Sequence, residues 1–230
     1  MTNISAESLS KEPVALAELA AESSSLYGFF ARVFGQEVSE ELLGLIRSPQ
    51  FLEAFFDAGG KIDLEYLRRP ENELREELAA EFAALFLGPG GHISPHESVQ
   101  KEGGSGHLWG PETSEIVGLI EDAGLEIVAN FTGLPDHISV ELELMGETSK
   151  KEAEAWQKGD FETAAKYLVV EDNFMKIHLA EWAIGFCQKV YEQTEHPFYG
   201  GLAKLAAEFL EAEKQDIPRR LKLAREITIN

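Results

Sequence analysis

Apolar side chains recur along this chain at helical spacing and nowhere alternate with polar ones long enough to make a strand. Over residues 13–34 the apolar positions are Leu16, Leu19, Leu26, Phe30, Val33 and Phe34, one face of a 3.6-residue period. Residues 39–46 follow, with Glu40 and Glu41 in a first turn where the helix dipole favours negative charge. A shorter helix is expected at 49–58, closed by Gly59-Gly60, and another at 71–87 with Leu74, Leu78, Phe82, Leu85 and Phe86 on one side. Beyond a break, helices are expected at 111–123 (ended by Gly124), 135–158 (ended by Gly159-Asp160), 161–169 and 173–194. A last long helix starts at Pro197 and runs through Leu202, Leu205, Phe209 and Leu210. Residues 1–12 read as a frayed start, and those after Pro218 as a mobile tail.

This pattern specifies an all-α protein, a single helical-bundle domain over 1–230 with about nine or ten helices. Residues 88–110 interrupt it with seven glycines and two prolines. So long a connection inside a compact chain is usually functional or a linker. It reads as a hinge loop between an N-terminal helical half (13–87) and a C-terminal half (111–214), followed by a tail (215–230).

With 230 residues, 44% hydrophobic and 27% charged, the composition is that of a folded domain. Charge changes the picture more. Forty-one acids against twenty bases give a formal net charge of −21, which repels a phosphate backbone and disfavours nucleic acid as a partner. The pairs Arg68-Arg69, Lys150-Lys151 and Arg219-Arg220 are isolated and build no basic patch. An acidic surface favours basic partners, or simply confers solubility. Cys187 is the sole cysteine, which excludes an intramolecular disulfide; beside Ile184, Phe186 and Val190 it reads as a small buried side chain. No apolar stretch approaches the roughly 18–20 residues of a membrane span. No basic segment followed by an apolar run marks a secretion signal. A cytoplasmic protein is expected.

One short segment concentrates the ionisable chemistry. Gly133-Leu134-Pro135-Asp136-His137-Ile138-Ser139-Val140-Glu141-Leu142 sets an acid beside an imidazole at a helix start. Pro135 suits the first helical position and Asp136 the first turn. His137 and Glu141, four apart, share a face distinct from the apolar stripe of Ile138, Leu142 and Met145. One use is a metal-dependent helical enzyme built on His137 and Glu141, with His92, His96 and His107 from the loop. Against it, the chain has no His-Glu-x-x-His, and Gly90, Gly91 and Pro95 keep His92 and His96 off a common helix face. Nucleophilic catalysis by Ser98 beside His96 and Glu97 lacks the elbow context, and Gly103-Gly104-Ser105-Gly106 lacks the lysine of a phosphate loop. His178 and His196 sit in or beside apolar helices and read as structural. The third use is peptide recognition in a groove between helices. There Asp136, Glu141, Glu97 and Glu102 would form an acidic rim, and two bidentate arginine–carboxylate pairs would specify a twin-arginine ligand. The same acids read equally well as a solvated surface.

Three pieces in order resemble one known family. Glu81-Phe82-Ala83-Ala84-Leu85-Phe86-Leu87-Gly88-Pro89 leads into Ser94-Pro95-His96-Glu97-Ser98-Val99, like a phenylalanine-rich helix followed by a Pro-Tyr-x-Ser-Val segment. Leu134-Pro135-Asp136-His137-Ile138 with Glu141-Leu142 and Met145 is similar to a Pro-Asp-His-Ile/Leu-x-x-Glu-Leu helix start. Phe174, His178-Leu179, Trp182, Phe186, Pro197-Phe198-Tyr199, Leu202-Ala203, Leu205 and Phe209-Leu210 look like the C-terminal helices. The chain thus resembles the TorD/DmsD/NarJ family of molybdoenzyme maturation chaperones over nearly its whole length. The resemblance implies a chaperone, not an enzyme, with no cofactor of its own. Its partner would be the twin-arginine leader peptide and the apo catalytic subunit of a molybdenum oxidoreductase. Carried over, Pro95, Glu97, Ser98, Asp136, His137 and Glu141 lie in or beside the peptide site. His96 stands where the family has tyrosine and Gln100 where an aromatic is frequent, which argues against stacking contacts from the loop. A hinge between helical halves would also permit two chains to exchange them, leaving both monomer and swapped dimer open.

Overall fold

The computed structural model describes residues 12–57, 59–88, 91–101, 106–122, 134–194 and 197–229. Residues 1–11 of the expected frayed start, the rim acid Glu102, residues 103–105 of the glycine run, the helix stop Gly124 and His196 lie outside these residues. The described chain is helical and contains no β-strand, as an all-α fold requires. Its helices are α1 (Glu12–Gly35), α2 (Glu40–Ile46), α3 (Pro49–Asp57), α4 (Leu64–Leu67), α5 (Glu71–Phe82) and α6 (Glu97–Gln100). They continue as α7 (Pro111–Asp122), α8 (Ile138–Gln157), α9 (Phe161–Phe174), α10 (Ala180–Gln193) and α11 (Pro197–Ile229). No described helix is long and apolar enough to cross a membrane.

Local chemistry sets many of these boundaries. The Ser39 side chain accepts the Leu42 N–H to start α2, and Asp160 accepts that of Thr163 to start α9. Between α8 and α9 the chain turns at Gly159, whose φ of 72° is the left-handed conformation that glycine adopts without strain. Two five-residue π-helical turns depart from the regular period. Ala83–Leu87 extends α5, and Met175–Leu179 joins α9 directly to α10. The expected gap between helices at 161–169 and 173–194 is therefore absent: Val170, Glu171 and Asp172 include no breaker, and Glu171 and Asp172 are buried within the bundle.

One aromatic core spans both sides of the glycine-rich loop. Phe34 of α1 lies edge-on to Phe86, with ring centroids 6.4 Å apart, and to Phe186 of α10 at 5.6 Å. Phe86 in turn meets Tyr199 of α11 at 6.3 Å. Edge-to-face pairs of this kind add specificity to the burial of large rings. The α1–α8 contact is made close by small residues. A Cβ on Gly35 would stand 2.9 Å from Cβ of Ser139, and Ser24 Oγ donates across the same seam to the Gly146 carbonyl at 2.8 Å.

Residues 215–229 are not a mobile tail. Helix α11 passes through Pro218 to Ile229, burying Ile217, Leu221 and Ala224. Proline forfeits one helical hydrogen bond and crowds the preceding turn; here a tertiary anchor offsets that cost. The Arg220 guanidinium is buried and donates to Glu213 Oε2 at 2.9 Å and Glu152 Oε2 at 3.4 Å, with Glu171 Oε2 at 3.8 Å. Glu213 also accepts Ser23 Oγ–H at 3.0 Å and Tyr27 O–H at 3.2 Å. Arg220 thus ties α11 to α8 and α9, and Glu213 ties it to α1. Three buried carboxyls outnumber it, so burial pushes Glu152 up to about 7 and Glu171 well above the carboxylate range. Substituting Arg220→Ala strands all three acids and should cost about 3–5 kcal/mol in chemical denaturation. The loss should be larger at pH 8 than at pH 5.5, because acid supplies protons that replace the guanidinium; a loss independent of pH would contradict this account of the cluster.

Candidate functional site

Two segments distant in sequence run side by side at the end of α8. His96 and His137 pair antiparallel, with the Ile138 N–H donating to the Pro95 carbonyl at 2.8 Å and the Glu97 N–H to the Asp136 carbonyl at 3.0 Å. Part of the glycine-rich loop is therefore fixed here and carries a helix of its own, α6. The pairing also moves the start of α8. His137 must stay extended to pair (ψ 139°), so the helix begins at Ile138 and not at Pro135. His137 becomes its cap: Nδ1 accepts the Ser139 N–H at 3.1 Å. Asp136 consequently precedes the helix instead of lying in its first turn.

The acids point inward. Glu97, Ser98, Asp136 and Glu141 are all 0% exposed. Glu97, Asp136 and Glu141 are thus not solvated; His178 and Trp182 are buried with them, while His96 and Lys101 are partly exposed. Asp136 Oδ2 accepts the Ser98 N–H at 3.2 Å, and Oδ1 faces His96 Nδ1 at 3.6 Å. Burial pushes this carboxyl up, but His96 and the Ser98 donors outweigh it and bring it down to about 2. Glu97 accepts Lys101 Nζ at 2.9 Å on one oxygen and His178 Nδ1 at 2.8 Å on the other. Lys101 also donates to the Ile177 carbonyl at 2.8 Å, while Lys189 donates to Gln100 Oε1 at 2.6 Å. Both contacts hold α6 against the π-helical turn and α10. Glu141 Oε2 accepts the Trp182 indole N–H at 3.1 Å.

His96 and His137 meet edge-to-face with ring centroids 5.0 Å apart. Burial, followed by the neighbouring His96, pushes His137 down to about 4. It is neutral at physiological pH, as an accepting Nδ1 requires. The metal-enzyme reading built on His137 and Glu141 finds no donor set. His92 and His107 are exposed, and among the described residues no three histidine, cysteine or acidic side chains are placed to hold a metal ion. Lys101, His178 and Trp182 complete the site and were not singled out for it by sequence. The available signal was the four-residue spacing of His178 and Trp182, which puts both on one helical face.

With this geometry in view, comparison with known proteins is decisive. A family model described as the nitrate reductase delta subunit matches residues 53–188, more than half of the chain and all of the paired segments. The chain belongs to that family. It is 26% identical over 197 residues to the chaperone protein TorD of Vibrio parahaemolyticus, covering 81% of this chain and 90% of that protein. It is 26% identical to the TorD chaperone of Shewanella pealeana, covering 83% and 90% of the two chains. With the TorD chaperone of Escherichia coli the identity is 24%, covering 86% and 97%. The family resemblance read from the three motifs is borne out, and it is a resemblance to chaperones and not to enzymes.

The His137 cap has a direct consequence. Its folded value is depressed relative to an ordinary histidine, so the stability it contributes is present above about pH 6.5 and is lost as pH falls toward 4. In a histidine-resolved NMR titration His137 should stay neutral to about pH 4. A midpoint near 6.5, the ordinary histidine value, would contradict the cap.

Proposed function

We propose that this chain is a cytoplasmic maturation chaperone for a molybdenum-containing oxidoreductase. It binds the twin-arginine leader peptide of the apo catalytic subunit where Pro95, Glu97 and Ser98 cross Asp136, His137 and Glu141, and holds the subunit back from export until its cofactor is inserted. Membership in a family whose named relatives are TorD chaperones supports the class of function. The observation that carries the site is a pair of buried carboxyl oxygens short of donors: Glu141 Oε1, which has no hydrogen-bond partner, and Asp136 Oδ1, which has only His96 Nδ1 at 3.6 Å.

Unsatisfied buried acceptors are costly, and a guanidinium supplies what they lack: a fixed positive charge with five N–H donors. Because both acids are covered, an arginine reaches them by lifting the 95–98 segment. Backbone hydrogen bonds with Asp136, Ile138 and Gly106, the Ser98 N–H bond to the Asp136 carboxylate and the Glu97 contacts hold that segment to its neighbours. The net charge of −21 draws a basic peptide toward the protein before contact. Farther along the loop, Leu108 and Trp109 are 50% and 75% exposed, and they offer apolar surface to the hydrophobic middle of a leader.

Calorimetric titration with leader peptides tests this reading. Asp136→Asn keeps an acceptor for the Ser98 N–H but removes the charge. It should weaken binding at least about tenfold, in line with the loss of one buried charge pair. Replacing both leader arginines by glutamine should do the same to the wild-type protein. Equal binding of the two peptides would remove the charge pairing.

A further inference from the structure

Glu141 differs from its two acidic neighbours in having no basic side chain against it. Glu97 is matched on both oxygens by Lys101 and His178, and Asp136 faces His96 while accepting an amide N–H. Glu141 receives a single neutral donor, the Trp182 indole, on one oxygen. Its other oxygen is buried without a partner. An ionised carboxylate so placed is strongly disfavoured, and a protonated one is the ordinary resolution. Among the groups around it, the two acids deepen the preference, while Trp182 and Lys101 oppose it. From the loop and α6 come Glu97 and Lys101, from the segment ahead of α8 Asp136, and from α10 the uncharged Trp182. Burial acts first and the Glu97 charge second, and together they push Glu141 well above the carboxylate range despite Lys101.

We propose that Glu141 holds a proton in the free chaperone and gives it up when a guanidinium of the leader enters, so that capture of the peptide is coupled to proton release. This rests on the leader-binding reading above and adds its regulation. The exchange balances: the neutral carboxyl and the cationic arginine become a carboxylate–guanidinium pair, and the proton passes to buffer. The free site thereby avoids a bare buried anion, and the bound site gains a charge pair only when its cognate cation arrives. Affinity should then rise with pH, up to about tenfold per unit while one full proton is released. The neutral cap His137 contributes no competing proton above pH 7, because burial has already removed its charge.

The probe is a synthetic peptide with two consecutive arginines ahead of an apolar stretch, titrated into the full chain at pH 7. Phosphate and Tris buffers differ widely in ionisation enthalpy. The observed heats should therefore differ by an amount corresponding to release of about one proton. Glu141→Gln, isosteric and uncharged, should bind with heats that agree between buffers and an affinity that no longer rises with pH. Binding by the wild type with identical heats in both buffers overturns the proton coupling and leaves the leader-binding reading standing. Proton release that persists undiminished in Glu141→Gln also overturns it. Absence of binding in either buffer overturns the leader-binding reading itself. Should Glu141→Gln fail to fold, the wild-type comparison alone still decides.

Discussion

The antiparallel pairing of His96 with His137 is the constraint on which the site depends. Two backbone hydrogen bonds join a glycine-rich loop to the start of α8, and every ionisable group of the site takes its place from that register. The pairing delays the helix start, makes His137 the cap, turns Asp136 toward Ser98 and delivers Glu97 into reach of His178. A shift of one residue would reverse the side each of these chains faces, as in any β-type pairing. The buried Glu97 contacts with Lys101 and His178 then hold the loop against the second half of the bundle.

A second polar cluster serves a different purpose. Around Arg220 the carboxyls of Glu152, Glu171 and Glu213 gather the last helix onto three others, beside the aromatic rings of Tyr27 and Trp156, which donate to Glu213 and Glu152. Both clusters place more acids than cations in the interior. At Arg220 the excess is closed off among helices. At the paired loop the excess lies beneath a short segment joined to its neighbours by hydrogen bonds and the Glu97 contacts. That contrast is the physical reason to seek recognition at one cluster and bracing at the other.

Much of the fold was legible in the sequence, because apolar periodicity and local caps determine helices without knowledge of their neighbours. The starts at Ser39 and Asp160 and the burial of Cys187 follow from adjacent residues. What escaped depends on partners far along the chain. Pro218 reads as a helix breaker until Arg220 is seen to be anchored to Glu152, 68 residues away. Asp136, Glu97 and Glu141 read as surface charge because His178 and Trp182, which receive two of them, lie on a helix that sequence spacing alone does not bring near. The acids Glu97, Asp136 and Glu141 stood out by residue type and position and the motif resemblance added Pro95, Ser98 and His137, but only the structure shows them together, His137 half-buried and the others buried.

Photo-crosslinking tests the central claim most directly. A leader peptide carrying a photoreactive residue beside its arginine pair should attach to residues within 95–101 and 136–141, and peptide mapping of the product would show it. Attachment confined to the outer face of α11 or to α3 and α4, with none at the paired loop, would contradict the account.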